Sequence, residues 1–229
     1  MEDGKIEIVC GTNKLHTLRA GYLVGCDGAR SRVRDFITNA TYANPVDIQL
    51  NFPMLSQFRI YIFLPCLLTG AHFLNALCSN IQDSSSFLSR ATIRANASYT
   101  AQPPPPSPFG EFTQHQRYTS VSKLFTYALV TRTAKADAEI DALPPLLQAS
   151  RWTFYLDDAK CGEGAEGVCT EKWLGTVARD QAVIANVRPD GYVGNIGRWE
   201  GIGDVSRGTS LGRQAAEWLD EYYQKFLMA

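Results

Sequence analysis

The chain has 229 residues, of which 45% are apolar and 20% are charged, and its formal net charge is −1. This is the composition of a globular protein with room for one large domain or two small ones. The near-neutral charge argues against a nucleic-acid partner, because phosphate binding requires a local excess of Lys and Arg.

The first predicted elements are strands within residues 5–28. Apolar and polar residues alternate from the start of this range, residues 11–13 suit a turn, and a second extended segment ends in the apolar run 22–24. A tight bend follows at residues 25–28, and residues 29–37 can form a short helix. The start of the chain is therefore predicted to be a strand–turn–helix unit.

Residues 45–123 show no sustained helical or strand period and include the proline block 103–106. We expect an irregular linker with some buried pieces, and foreign sequence such as a retained intron is an open alternative. Residues 60–77 are mostly apolar, which raises the alternative of a membrane anchor. A buried segment is the favoured interpretation, because several residues in it are costly or disruptive in lipid: Pro65, Thr69, Gly70, His72 and Asn75.

Regular patterns return from residue 124. A short, proline-limited helix is predicted within residues 138–149, and the turn 189–191 is predicted to close a hairpin. Apolar residues recur at helical spacing from Leu211 to Phe226, which predicts a terminal helix. Strands are predicted at residues 125–130, 152–156, 182–187 and 192–196. Together these elements predict a compact α/β unit.

Cysteine, histidine and acidic residues give no pattern of a metal or catalytic site. None of the six cysteines lies in a C-x-x-C pair, and the three histidines are scattered. Without a secretory signal, we expect reduced thiols and a cytoplasmic location. A solvated loop is the favoured interpretation of the one acidic cluster, formed by Asp157, Asp158, Glu163 and Glu166. No metal site is predicted, and the catalytic residues are unknown.

Residues 21–34 are the segment with the clearest chemical content. Gly25 and Gly28 let the backbone approach a ligand closely, and Asp27 offers a carboxylate to a hydroxyl group. The helix that begins beyond the bend presents free N–H groups to an anion. A cofactor with hydroxyl and phosphate groups fits this arrangement, and a plain strand–turn–helix corner is the alternative.

This segment resembles the second flavin fingerprint of the FAD-dependent aromatic-ring monooxygenases, the family of p-hydroxybenzoate hydroxylase and phenol hydroxylase. The pattern Gly-x-Asp-Gly-x-x-Ser-x-apolar-Arg is matched by Gly25, Asp27, Gly28, Ser31, Val33 and Arg34. The resemblance implies that all of these except Val33 contact FAD. It also implies hydroxylation of an aromatic, phenolic substrate with NAD(P)H and molecular oxygen.

A second resemblance lies near the C-terminus. Residues 151–158 and 187–194, with the terminal helix, are similar to the last domain of phenol hydroxylases. The resemblance implies a thioredoxin-like fold without redox cysteines and a homodimer formed through this domain. The chain is thus divided into a partial FAD-binding domain at 1–44, the irregular segment at 45–123 and a thioredoxin-like domain at 124–229.

The departures from the family shape the expected function. Only 20 residues precede Gly21, so the family's upstream Gly-x-Gly-x-x-Gly loop has no counterpart, which indicates a truncated or internally altered member. We therefore expect this chain to bind FAD weakly or not at all. Two functions follow: a monooxygenase of this family, or a noncatalytic remnant that acts as a dimerisation or interaction module.

Overall fold

The computed structural model describes residues 5–10, 14–19, 57–102, 121–157 and 169–227. The chain divides into two compact units, Met1–Pro45 and Val46–Ala229. In the first unit, strands β1 (Lys5–Cys10) and β2 (Lys14–Arg19) pair in an antiparallel hairpin. The predicted strands are confirmed over these two ranges, whereas the apolar run 22–24, the bend at 25–28 and the helix at 29–37 lie outside the described residues.

The second unit is built on a five-stranded mixed sheet with the strand order β5-β4-β3-β6-β7. The pairs β3–β4 and β4–β5 are parallel, whereas β6 is antiparallel to both β3 and β7. Among the described strands, β5 and β7 therefore form the two edges. The strands are β3 (Phe58–Leu64), β4 (Phe125–Thr131), β5 (Phe154–Leu156), β6 (Gln181–Val187) and β7 (Val193–Glu200).

Strand β3 overturns the prediction of an irregular linker for residues 57–102. All seven of its residues are buried, and it lies between β4 and β6 at the centre of the sheet. Two helices follow it, α1 (Leu67–Gln82) and α2 (Phe87–Ala101). A strand buried on both faces shows no alternation of polar and apolar residues, so the pattern that identifies an exposed-edge strand is missing from it.

The apolar run 60–77 is largely buried, in agreement with the favoured interpretation, but Leu68, His72 and Asn75 in it are exposed. The run spans two elements. Its first part is the end of β3, and its second part is the beginning of α1. The period changes at Pro65 and Cys66, so neither the strand nor the helix pattern continues through the run. None of the described helices combines the length and the apolar character that crossing a bilayer requires.

The C-terminal elements are confirmed individually, but they do not form a self-contained unit over 124–229. Both β4 and β6 pair with β3, so the central strand of their sheet comes from the segment before residue 124. The hairpin between β6 and β7 is as predicted, with Gly191 at φ +87° in the turn. The terminal helix α5 (Val205–Leu227) is also confirmed and begins earlier than its apolar pattern indicated.

The remaining short elements differ in detail from the prediction. The helical stretch expected within 138–149 is a 3-10 turn (Ile140–Ala142) followed by α3 (Pro145–Ala149). The strand expected at 152–156 begins only at Phe154, because a 3-10 turn occupies Arg151–Thr153. Pro144 and Pro145 explain the first difference, because a proline ring fits the start of a helix and not its interior.

Two core clusters lie on opposite faces of the sheet, as the alternation of side chains along a strand requires. Ile60 and Ile62 of β3 pack with Phe73 of α1 and Leu219 of α5 in the larger cluster. The smaller cluster includes residues from β3, β4 and β6, among them Tyr61, Phe63, Val130 and Val183. Helix α4 (Cys169–Leu174) packs on this second face, where Trp173 meets the Tyr61 ring edge-on at 5.9 Å.

Two aspartates hold helix N-termini from outside those helices. The Asp157 carboxylate accepts the N–H groups of Cys169 and Thr170, both at 2.9 Å, at the start of α4. Asp157 is only 6% exposed, so the prediction of a solvated acidic loop is wrong for this residue. Asp220 of α5 holds the start of α2 by accepting the N–H groups of Phe87 at 2.8 Å and Leu88 at 3.0 Å.

Replacement of Asp220 by alanine is expected to lower the free energy of unfolding by about 3 kcal/mol, because charge-assisted bonds to two backbone N–H groups are lost at a partly buried site. Urea unfolding followed by circular dichroism measures the loss. Asp204→Ala is the matched control: Asp204 caps α5 by accepting the Arg207 N–H at 2.7 Å, but it is exposed. Its loss should cost about 1 kcal/mol, and equal losses in the two variants would contradict the assignment.

Candidate functional site

The residues that the sequence assigns to FAD fall outside the described residues. The structure therefore does not test the assignment of Gly25, Asp27, Gly28, Ser31 and Arg34. Within the described parts of the chain, no group of three or more His, Cys, Asp or Glu side chains is arranged to hold a metal ion. The candidate functional site is therefore sought on the surface of the second unit.

The outer edge of β7 is unpaired by any strand that the structure describes. This eight-residue strand pairs with β6 on its other side only. Val193 is 51% exposed and Ile196 is 47% exposed, whereas β3, β4 and β6 are buried along their whole length. A long edge strand with exposed apolar side chains is a template for pairing with another chain.

Exposed apolar side chains lie on both faces of the sheet at this edge, and together we call them the edge surface. Tyr222 and Phe226 belong to α5, whereas Ile196 lies on the opposite face of β7, because the alternate residues Asn195 and Trp199 face α5. The edge surface consists of Tyr192 at the hairpin, Val193 and Ile196 of β7, and Tyr222 and Phe226 of α5. Tyr192 is 72% exposed and Phe226 is 44% exposed. The rings of Tyr222 and Phe226 are stacked, with 6.1 Å between their centroids. The Tyr222 hydroxyl of α5 packs against Gly194 of β7, where it occupies the space that a side chain would need.

A groove of about 320 Å³ lies between β7 and the C-terminal half of α5. It combines three aromatic rings with an amide and an ion pair in which Lys225 Nζ lies 3.7 Å from Glu221 Oε2. Aromatic residues are enriched at the centres of protein interfaces, where they supply area at low entropic cost. The lining residues are Asn195, Trp218, Glu221, Tyr222, Lys225 and Phe226.

Buried hydrogen bonds fix the helix against the strands beneath this surface. Asn186 of β6 is fully buried and donates to Asn195 Oδ1 at 2.6 Å, and the Tyr223 hydroxyl donates to Asn186 Oδ1 at 3.3 Å. Burial raises the pKa of Tyr223 well above its ordinary value, so its hydroxyl keeps the proton that it donates. Because strand and helix share this network, the edge surface is preorganised.

The apolar face predicted for α5 explains why the sequence did not identify this surface. Trp218, Tyr222 and Phe226 belong to the predicted stripe, but the side chains of Trp218 and Tyr222 are only partly buried and that of Phe226 is exposed. The fully buried residues of the helix are Gly208, Gly212, Ala215, Ala216, Leu219 and Tyr223, and two of them, Ala215 and Leu219, belong to the predicted stripe. Trp218 and Tyr222 lie at the margin of the same core cluster, and apolar spacing alone does not show which residues of a stripe stay partly exposed.

Cys66, at the start of α1, has polar surroundings. Thr69 Oγ1 lies 3.2 Å from its Sγ, and the Arg179 guanidinium lies 3.7 Å from it. Burial alone would raise the pKa of Cys66, but the Thr69 and Arg179 interactions outweigh it and the pKa is lowered. By contrast, burial raises the pKa of Cys78 to about 12.

At neutral pH we expect Cys66 to react with iodoacetamide at least about tenfold faster than Cys78, since the thiolate is the reacting form and Cys78 is also inaccessible. Peptide mass spectrometry at successive times measures both rates in one sample. Arg179→Ala should slow Cys66 and leave Cys78 unchanged. Equal rates at the two cysteines would show that the surroundings of Cys66 do not favour its thiolate.

One comparison with known proteins bears on this surface. A family model described as the phenol hydroxylase C-terminal dimerisation domain matches residues 31–229. The match includes all described elements of the second unit, β3 to β7 and α1 to α5. It therefore includes the edge surface and the groove.

Proposed function

The chain belongs to the family of the phenol hydroxylase C-terminal dimerisation domain, and from this premise we propose that its second unit joins two copies of the chain. The edge surface is the observation that carries the proposal. Stable homodimers use self-complementary surfaces in which the same patch faces itself across a twofold axis. An unpaired apolar strand edge next to an aromatic groove is a patch of this kind.

The charges on β7 argue against a strongly charged partner and are compatible with a second copy. The exposed part of β7 carries one basic and one acidic side chain, Arg198 and Glu200, so it has no excess of either sign. A partner with a strongly charged face would gain little from such an edge. The Arg198 guanidinium donates a hydrogen bond to the Leu174 carbonyl oxygen at 2.5 Å, so part of its charge is already engaged within the chain.

Co-expression of two copies that carry different affinity tags tests this proposal. Purification through one tag is expected to retain the second copy through a wash at high ionic strength, because the proposed contact is mainly apolar. Random pairing of equally expressed copies predicts about one chain of the second copy for every two of the captured copy. Retention of the captured copy alone would refute homodimerisation. A mixture of separately purified copies, followed over hours, measures subunit exchange in the same assay.

For the fold of this unit we infer the thioredoxin-like arrangement. The parallel unit β3-α1-α2-β4, followed by the antiparallel hairpin β6-β7 and the helix α5, supports it. No C-x-x-C pair occurs in the chain. In this arrangement the domain serves as a scaffold for the edge surface, and dithiol exchange is not part of the proposed function.

For the family activity, we propose an FAD-dependent monooxygenase that hydroxylates a phenolic substrate with NAD(P)H and molecular oxygen. The sequence fingerprint at residues 25–34 supports this part. Bound flavin supplies the oxygen chemistry, while the protein supplies binding and orientation. Asp27 would accept a hydrogen bond from a cofactor hydroxyl, and the N–H groups beyond the bend would face a phosphate. A noncatalytic dimerisation module is the second candidate, and it differs only in lacking flavin.

The flavin content of the purified chain separates these two candidates. We expect weak or no FAD binding, so a sample prepared with FAD and then gel-filtered should show little flavin absorbance. Asp27→Ala is the informative variant, because the loss of one charge-assisted hydrogen bond costs about 1.5–3 kcal/mol, or roughly 10- to 150-fold in affinity. Stoichiometric flavin that disappears in this variant would overturn the expected weak binding and favour the monooxygenase.

A further inference from the structure

We propose that the two copies join by antiparallel pairing of their β7 strands about a twofold axis at Ile196. The two five-stranded sheets would then form one continuous sheet of ten strands. This inference rests on the proposed function for the identity of the partner. It adds the backbone contact and the register through which that partner is bound.

Backbone hydrogen bonds identify which residues of β7 face the partner. The Gly201 N–H donates to the Asp180 carbonyl oxygen at 3.0 Å, one step beyond the last pair of the β6–β7 register. Residues directed towards β6 alternate with residues directed away from it in an antiparallel pair. Ile196, Arg198 and Glu200 therefore direct their N–H and C=O groups to the outer edge, where no described strand meets them.

Twofold symmetry leaves few registers, and side-chain chemistry selects among them. An axis at Arg198 places two guanidinium groups opposite each other, and an axis at Gly197 places Ile196 opposite Arg198. An axis at Asn195 places Ile196 opposite Gly194, so the two exposed isoleucines do not meet. Like charges in facing positions destabilise a strand pair, whereas facing β-branched side chains stabilise it.

The axis at Ile196 avoids these conflicts. The two Ile196 side chains then face each other, and each Arg198 lies opposite Gly194, which has no side chain to obstruct it. An axis at Trp199 would pair Arg198 with Glu200, but only residues 198–200 would overlap because β7 ends at Glu200. The Ile196 register reaches residues 193–199 of both strands and crosses the register shift of the β6–β7 pair between Val193 and Asn195. It is preferred because it brings the two exposed Ile196 side chains into contact, whereas the Trp199 register leaves them uncovered.

Disulfide trapping in the full chain tests this register. A residue on the axis lies about 5.5 Å from its own copy in a hydrogen-bonded antiparallel pair, within the range that a disulfide spans. Ile196→Cys is therefore expected to give a covalent dimer under mild oxidation. Val193→Cys is the matched control on the same strand, and its two copies would lie about 20 Å apart. We expect this variant to stay monomeric on a non-reducing gel.

Mass spectrometry of the linked peptide distinguishes the introduced disulfide from any bond made by the native cysteines, with the wild-type chain as the baseline. A covalent dimer from Val193→Cys without one from Ile196→Cys would overturn the proposed register. Light scattering of the same samples under reducing conditions separates the two levels of the proposal. A dimeric mass without trapping at Ile196 would refute strand pairing alone, and a monomeric mass would refute the dimer itself.

Discussion

Replacement of Gly212 by valine is expected to lower the free energy of unfolding of the second unit by about 4 kcal/mol, a large share of the stability of a typical domain. Gly212 lies where α5 crosses α1. A Cβ atom there would contact the Phe73 carbonyl oxygen and would lie 2.9 Å from Ala76 Cβ and 3.0 Å from the Leu77 nitrogen. Two of these three neighbours are backbone atoms, so the helices must separate to make room.

Urea unfolding followed by circular dichroism measures this loss, and Ser210→Val is the matched control. Ser210 is exposed on the same helix, so its replacement adds a β-branched residue without a packing conflict and should cost about 0.5 kcal/mol. Gly212→Ala should fall between the two variants, because alanine's better helix propensity, about 1 kcal/mol, offsets part of the clash. Equal midpoints for Gly212→Val and Ser210→Val would show that the helices do not meet closely at this point.

Replacement of Ile196 by lysine is expected to weaken the dimer by about 100-fold or more, which corresponds to about 3 kcal/mol. The substitution removes apolar contact from both copies and places two ammonium groups together across the axis. Monomer stability should change little, because Ile196 is 47% exposed in the single chain. Sedimentation velocity over a dilution series measures the dissociation constant, and a thermal melt confirms that the variant is folded.

Leu68→Lys is the control for this variant. Leu68 is 84% exposed on α1, outside the edge surface, so the same change in charge and apolarity is made at a different place. We expect the wild-type dissociation constant for it. A similar loss of dimer in both variants would mean that net charge, rather than the edge surface, controls association.

The elements predicted well are those whose sequence signal is local. The β6–β7 hairpin is set by the turn chemistry of Asp190 and Gly191, and α5 is set by its apolar spacing. Strand β3 was missed because both of its faces are buried, so its apolar residues follow no period that a short window can detect. Its central position in the sheet results from pairing with β4 and β6, which are distant from it in sequence.

The sequence predicted that a dimerisation surface exists but not which residues form it. The similarity of the C-terminal segments to the last domain of phenol hydroxylases indicated dimerisation. The residues that form the surface are decided by two tertiary features. Among the described strands β7 pairs only with β6, and one face of α5 packs on the sheet. The roles of Asp157 and Asp220 were also out of reach, because each caps a helix from a separate segment of the chain.

Sedimentation equilibrium of the full chain is the most direct test of a homodimer formed through the edge surface. The chain mass is 25.3 kDa, so the dimer mass is 2 × 25.3 = 50.6 kDa. We predict the dimer mass at micromolar concentration, with a shift towards 25.3 kDa for Ile196→Lys and none for Leu68→Lys. A wild-type mass of 25.3 kDa at every concentration would contradict the account.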